Sequence, residues 1–329
     1  MHVSPALSAP IIEAAIRDGV DYLRRVQRAS GEFATHTGPT PDLRGAATYP
    51  KSVYVNSFVI HSLGFLPATP HVAHIRRRAA DFLEAEEENG VWNYEGRGQW
   101  RLPPDLDCTC CAVAALAILG RRPPAACYPV LWRAIRPNAA APGGPYYTWI
   151  GVNDDPDDPI AAPFAGDVDP LVNANVLFCC GLLGIELPGA AAYLTRRAVS
   201  GDYRGDSHYV ISPHFLLYAM TRAYADGQAV ALAPALPAMR ECLLDRLPPL
   251  PDELSAFNVA CRALALLNLG AARDVVAPYL TAIVAAQGDD GGWPMWAAWA
   301  GFPPNYDGSP ALTTALALEA LGKWLRLEG

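Results

Sequence analysis

No run of 18 or more apolar residues occurs in this 329-residue chain. Arg, Asp, Glu, Asn or Pro interrupts every candidate, which excludes a transmembrane helix of about 20 residues. Residues 1–10 lack the charged start and apolar core of a signal peptide. A soluble, unexported, cytoplasmic protein is expected. Basic side chains are also scarce: 25 Lys and Arg against 33 Asp and Glu leave a net charge of −8. With no basic stripe to neutralise phosphates, a general nucleic-acid binder is excluded, whereas a small anionic ligand is not. Charged residues make up only 18% and hydrophobic ones 51%, which excludes disorder and coiled coil. The length allows two domains or one large one, and the repeat described below favours a single domain over 1–329.

Of the eight cysteines, Cys108, Cys110, Cys111, Cys179 and Cys180 lie in apolar, helical stretches. Adjacent cysteines on a helix do not pair readily, so they are read as free thiols packed as small hydrophobes in a reducing compartment. A zinc site from Cys108 or Cys110 with a distant His is the alternative. It is the lesser reading, and no zinc is expected.

What the chain does have is periodicity. Long apolar stretches end in Leu-Gly at Gly64, Gly120, Gly184, Gly270 and Gly322, and a sixth ends in Ala-Asp-Gly at Gly227. Glycine at these points suggests left-handed helix stops. The spacing holds two helices of about 10–15 residues plus loops, which is a helical hairpin repeated six times. Helices over 11–27, 72–87 and 275–286 are amphipathic and suit a surface. Those over 109–119, 172–183 and 312–321 are apolar on nearly every face and must be buried all round. An all-α fold follows, an (α/α)6 toroid with outer and inner helix rings. Most of the 31 prolines fall between helices or in first turns. Connectors 28–51, 88–106, 137–168 and 288–307, each preceding an inner helix, are longer than mere connections and are expected to build a site.

Gln27, Gly31 and Phe33 follow the first outer helix, and Gln287, Gly291 and Trp293 follow the last; Glu87, Gly90 and Trp92 form a worn copy. These resemble the QW repeat, Q-x3-G-x-W/F, of terpenoid class II cyclases and their α/α-toroid relatives, including squalene-hopene cyclases. Physically, a side-chain amide at a helix C-terminus can bond loop backbone while the aromatic packs on the next hairpin. Asp105-Leu106-Asp107-Cys108-Thr109 is similar to the D-x-D-D or D-x-D-T-T motif of that family, with Cys108 as the departure. The resemblance makes Asp107 the general acid that protonates an alkene or epoxide and starts a carbocation cascade.

Such an acid must remain protonated, so its site has to oppose ionisation through burial or a neighbouring carboxylate. Asp105 supplies the carboxylate and the toroid interior the burial. The alternative is that Asp105 or Asp107 caps the helix, which would lower its pKa. If the inner helices are parallel, Asp169, Asn173 and Asp307 gather at the same mouth and orient the acid or a water. Capping and buried amides are the competing reading for them too.

Aromatic faces stabilise cations without supplying a nucleophile. Trp92, Trp100, Trp149, Trp293, Trp296 and Trp299 lie in the long connectors, joined by Tyr94, Tyr146, Tyr147, Phe164, Phe302 and Tyr306. Half are expected in a cavity wall, with Trp92, Trp100, Tyr147, Trp149, Trp293, Trp296 and Tyr306 the candidates. A diphosphate head group would need cations such as Lys51, Arg97, Arg101 and Arg204. Asp154 and Asp155 could hold Mg2+ bridging that head, although such a run is more often a solvated loop. His208 and His214 are read as structural.

The resemblance thus implies an isomerase, a class II-type cyclase acting on a linear isoprenoid, with farnesyl diphosphate favoured because only one toroid is present. The long loops or a second subunit of a homodimer would close the mouth. Rivals are a protein-prenyltransferase-β-like chain, a carbohydrate-active toroid and a non-catalytic isoprenoid binder.

Overall fold

The computed structural model describes residues 7–98, 101–154, 162–203, 207, 209–247, 255–301 and 305–327. Among them, twelve α-helices alternate between two rings. The outer helices are α1 (Ala9–Val26), α3 (Pro70–Ala85), α5 (Pro124–Ile135), α7 (Pro188–Ser200), α9 (Leu236–Glu241) and α11 (Arg273–Ala285). The inner helices are α2 (Tyr54–Ser62), α4 (Leu106–Ile118), α6 (Pro170–Leu182), α8 (Pro213–Ala225), α10 (Ala256–Asn268) and α12 (Pro310–Arg326). Each inner helix packs on the next, and α12 packs back on α2, so the inner ring is closed. This is the (α/α)6 arrangement read from the repeat.

Burial follows from the side chains. α1 buries Ile12, Ala15, Ile16, Gly19, Val20, Tyr22 and Leu23, a stripe of three- and four-residue steps, and leaves its arginines outside. α4 and α6 bury every side chain from Cys108 to Leu116 and from Pro170 to Cys180. Five inner helices begin on a side chain that accepts a backbone N–H of the first turn: Asp105, Asp169, Ser212, Ser255 and Ser309. No helix among the described residues is long and apolar enough to cross a membrane.

One feature was not read from the sequence, and one expectation needs correction. The connectors are not wholly irregular: β1 (His36–Gly38), β2 (Ala47–Thr48), β3 (Ala297–Ala300) and β4 (Tyr306–Gly308) form an antiparallel sheet of order β2-β1-β4-β3. It joins the first connector to the last where the ring closes. Nor are all six glycines stops. Gly120, Gly184 and Gly270 are left-handed, but Gly322 lies inside α12, where a Cβ would stand 2.9 Å from Leu66 Cδ2 and 3.0 Å from the Phe65 carbonyl. It is small to admit a neighbour.

The end of the ring away from the connectors before the inner helices is held by a buried ionic cluster. Glu319 Oε2 accepts from Ser62 Oγ and Tyr218 OH, both at 2.8 Å. Lys323 Nζ lies 2.6 Å from Asp226 Oδ2 and 3.1 Å from Glu319 Oε1. Burial opposes ionisation of Glu319, but Lys323 and His61 overcome it and keep the carboxyl well below the ordinary range. His61, Asp226 and Glu319 are the one set of three metal-type donors that converges among the described residues. Lys323 already bridges both of its carboxylates, and it contains no cysteine.

Candidate active site

At the other mouth, the first turns of α2, α4 and α6 and the connectors around them border an open pocket that is overwhelmingly apolar in its exposed lining. Asp105, Asp107 and Asp169 all border it. Asp105 is the N-cap of α4: its Oδ1 accepts from the Cys108 N–H at 2.6 Å. The capping alternative therefore applies to Asp105, yet burial outweighs the cap and lifts its pKa to about 6. Asp107 does not cap. Its carboxyl turns towards the pocket from the first turn of α4, and burial, followed by the charge of Asp105, raises its pKa to about 7 against the opposing effects of Asn175, Tyr54 and Arg222.

What holds Asp107 is a chain of side chains across the ring interior. Asn175 Nδ2, from α6, donates to Asp107 Oδ1 at 2.6 Å and lies 3.2 Å from Tyr54 OH. Arg222, from α8, donates to Asn175 Oδ1. The Arg222 guanidinium is buried, 4.2 Å from the Phe178 ring centre and 4.5 Å from that of Phe58. These aromatic faces stand where water would otherwise solvate the charge. With Oδ1 engaged as an acceptor, Oδ2 is the oxygen left to carry the proton. Cys108, at the departure from the family motif, is buried, and burial keeps its thiol neutral.

Sequence reasoning missed Asn175 and Arg222 as site residues. The available signal was an amide and a guanidinium in the middle of otherwise apolar inner helices.

Asp169 caps α6 through Oδ1, which accepts from the Leu171 and Val172 N–H groups at 2.7 and 3.2 Å, and Ser207 donates to its other oxygen. Burial raises its pKa to about 7. Tyr54, Tyr94, Trp149, Tyr209 and Trp299 form the aromatic wall. Trp149 Nε1 donates to Tyr209 OH and Trp299 Nε1 to Tyr94 OH, each at 3.2 Å.

Several expected wall residues lie elsewhere. Trp92 and Trp293 are buried in packing, each indole donating at 2.7 Å to an outer-helix carbonyl, Leu83 and Ile283 respectively. Their backbone N–H groups are held at 3.1 Å by Thr109 and Thr314 of the inner helices. Asn173 plays the same part in α6, accepting from the Tyr146 N–H at 2.8 Å. It is a clamp between connector and helix, and it does not border the pocket.

Tyr147, Trp296 and Tyr306 are partly buried outside the lining, with Tyr306 paired in β4. Arg97 is exposed, and Arg101 is exposed while bridging Glu95 at 2.5 Å, so neither points a free cation into the pocket. Asp154 is exposed and outside the lining. By itself it does not make a Mg2+ site. Trp100, Asp155, Arg204, His208 and Phe302 lie outside the described residues.

The ring and its acidic mouth define an α/α toroid of the architecture used by class II terpenoid cyclases. No family model and no curated protein matches the sequence. Among solved structures, the type II terpene cyclase MstE from Scytonema superposes with a TM-score of 0.68 at 18% identity, over 97% of this chain and 99% of that one. The ent-copalyl diphosphate synthase from Streptomyces platensis gives 0.58 at 16%, over 82% of this chain and 50% of that one. An unsaturated glucuronyl hydrolase specific for heparin gives 0.63 at 12%, over 98% of both chains. These likenesses establish the fold.

Proposed function

We propose that the protein is a class II-type terpene cyclase in which Asp107 protonates the terminal alkene of a linear isoprenoid. The observation that carries this reading is a carboxylic acid with a pKa of about 7, opening into an apolar, aromatic pocket and held from behind by Asn175 and Arg222. A carbohydrate-active toroid shares the fold, but the described pocket lining offers little polar surface to a sugar.

In this mechanism the Asp107 proton leaves Oδ2 for the alkene carbon, and the electron pair of the double bond forms the new C–H bond. The resulting tertiary cation is attacked by the next double bond of the chain. Asn175 and Arg222 stabilise the carboxylate left behind, since a hydrogen bond and a positive charge both favour the ionised form. Tyr54, Tyr94, Trp149 and Trp299 present π faces to the travelling cation. The product is an isomer of the substrate.

Farnesyl diphosphate and other prenyl diphosphates remain the first substrates to test. No Lys or Arg occurs among the described lining residues, so a diphosphate would sit outside the pocket with Mg2+ as its counter-ion, and no step depends on that metal. MstE has been solved with geranylgeranyl dihydroxybenzoate as substrate, which makes a prenylated aromatic acid the second class to test.

The test is incubation of the wild-type and Asp107→Asn proteins with C10 to C20 prenyl diphosphates and with prenylated dihydroxybenzoates. Asn preserves the volume and the fold. Cyclic product should form with the wild type and fall by about 10²–10⁴-fold or more in the variant. Full activity in Asp107→Asn would refute the proposal.

A further inference from the structure

A cascade begun by adding a proton must end by losing one, or by capturing water, and Asp107 sits at the starting end. On the far side of the aromatic wall is another carboxyl that the mechanism has not used. Tyr54 lies beside Asp107 and packs edge-on against Trp299, ring centres 4.9 Å apart; Trp299 in turn packs edge-on against Tyr94 at 6.0 Å. Tyr94 OH accepts from Trp299 Nε1 at 3.2 Å and donates to Asp307 Oδ2 at 3.3 Å. The phenol borders the pocket, whereas Asp307, 4% exposed on β4, stands behind it. Ser309 already caps α12, so Asp307 is not needed as the cap.

Building on the cyclase reading, we propose that Tyr94, backed by Asp307, is the base that ends the cascade by taking a proton from the carbon next to the final cation. The C–H bond breaks and its electron pair becomes the product's double bond, which neutralises the cation. The proton goes to the remaining lone pair of Tyr94 Oη, while the phenol's own proton moves along its hydrogen bond to Asp307 Oδ2. Asp307 ends as a neutral acid and later returns the proton to solvent, from which Asp107 is recharged, so no net proton is consumed. Trp299 fixes the phenol by donating to it, which leaves the tyrosine proton directed at the carboxylate. Tyr94 is the catalytic group here; Asp307 and Trp299 position it and receive its proton.

The experiment compares the product spectra of wild type, Tyr94→Phe and Asp307→Asn on the substrates above, with Tyr209→Phe as a control from the same aromatic wall. The share of each product is read, because that ratio does not depend on how much of a variant is folded. In Tyr94→Phe and Asp307→Asn, substrate should still be consumed, but the main wild-type alkene should fall by about tenfold relative to hydroxylated or isomeric products. Tyr209→Phe should change the ratio less. Unchanged ratios in both variants, or a shift confined to Tyr209→Phe, would overturn the base assignment while leaving the cyclase reading intact. A wild-type protein that cyclises no substrate of the panel would overturn both.

Discussion

Three carboxyls border the pocket, and their surroundings divide their work. Asp105 and Asp169 each spend Oδ1 on backbone N–H groups of a helix start, whereas Asp107 is free of the backbone and its Oδ1 accepts from the side chain of Asn175. Consumption of substrate should therefore follow the acid form of Asp107, falling about tenfold per pH unit above about pH 7. Asn175→Ala removes a hydrogen bond that favours the carboxylate, so the midpoint should move to higher pH while the maximal rate falls by about 10–100-fold through lost orientation. A pH–rate profile of the two proteins checks this. A midpoint that stays put or moves down would show that Asn175 does not act on the acid. Asp105 and Asp107 were singled out by their resemblance to the D-x-D motif, and Asp169 by its place before an inner helix, where capping was the competing reading. Asn175 and Arg222 were not, because their partners lie 68 and 47 residues away and meet only when α4, α6 and α8 pack.

At the scale of elements, the toroid is assembled by a repeated joint. Gln27 Nε2 donates to its own loop at the Gly31 carbonyl, 3.0 Å, and to Ile75 of the neighbouring α3, 3.1 Å. Gln287 does the same with Gly291 at 2.8 Å and Ala15 of α1 at 2.9 Å, so the last outer helix is tied to the first. Gly31 has φ +95°, and a Cβ there would lie 2.2 Å from the Arg78 carbonyl, which only glycine avoids. Both Gln side chains and both aromatics were visible in sequence, but Trp92 and Trp293 were expected to face substrate as well. Spacing alone cannot tell a tryptophan that plugs a joint from one that lines a cavity. The strands escaped for a related reason: they are two to four residues long, and β1 pairs with a segment some 270 residues distant. Trp293→Ala should cost about 3–5 kcal/mol of stability by leaving a large cavity. Gln287→Ala should cost about 1–3 kcal/mol by leaving carbonyls unpaired. Urea unfolding monitored by circular dichroism measures both, and a loss below about 1 kcal/mol for Trp293→Ala would place that indole outside the joint.

For the whole molecule, the parallel inner ring sets two ends apart. One is sealed by Glu319, Lys323, Asp226 and His61; the other gathers capped helix starts, long connectors and the pocket. The six-hairpin plan and the end at which the acids meet were legible from the glycine spacing and from the acids that precede inner helices. Which connector walls the pocket was not, because each loop follows its own path over the mouth. Connectors of this chain border the pocket together with the first turns of its inner helices, and the chemistry proposed for Asp107 is placed there. The central claim is that this chemistry begins with a proton drawn from solvent through Asp107, and cyclisation in D2O tests it most directly. Mass spectrometry of the product should show one deuterium on the carbon of the former terminal alkene, with any diphosphate retained. Product without solvent deuterium, or pyrophosphate released in step with turnover, would contradict it.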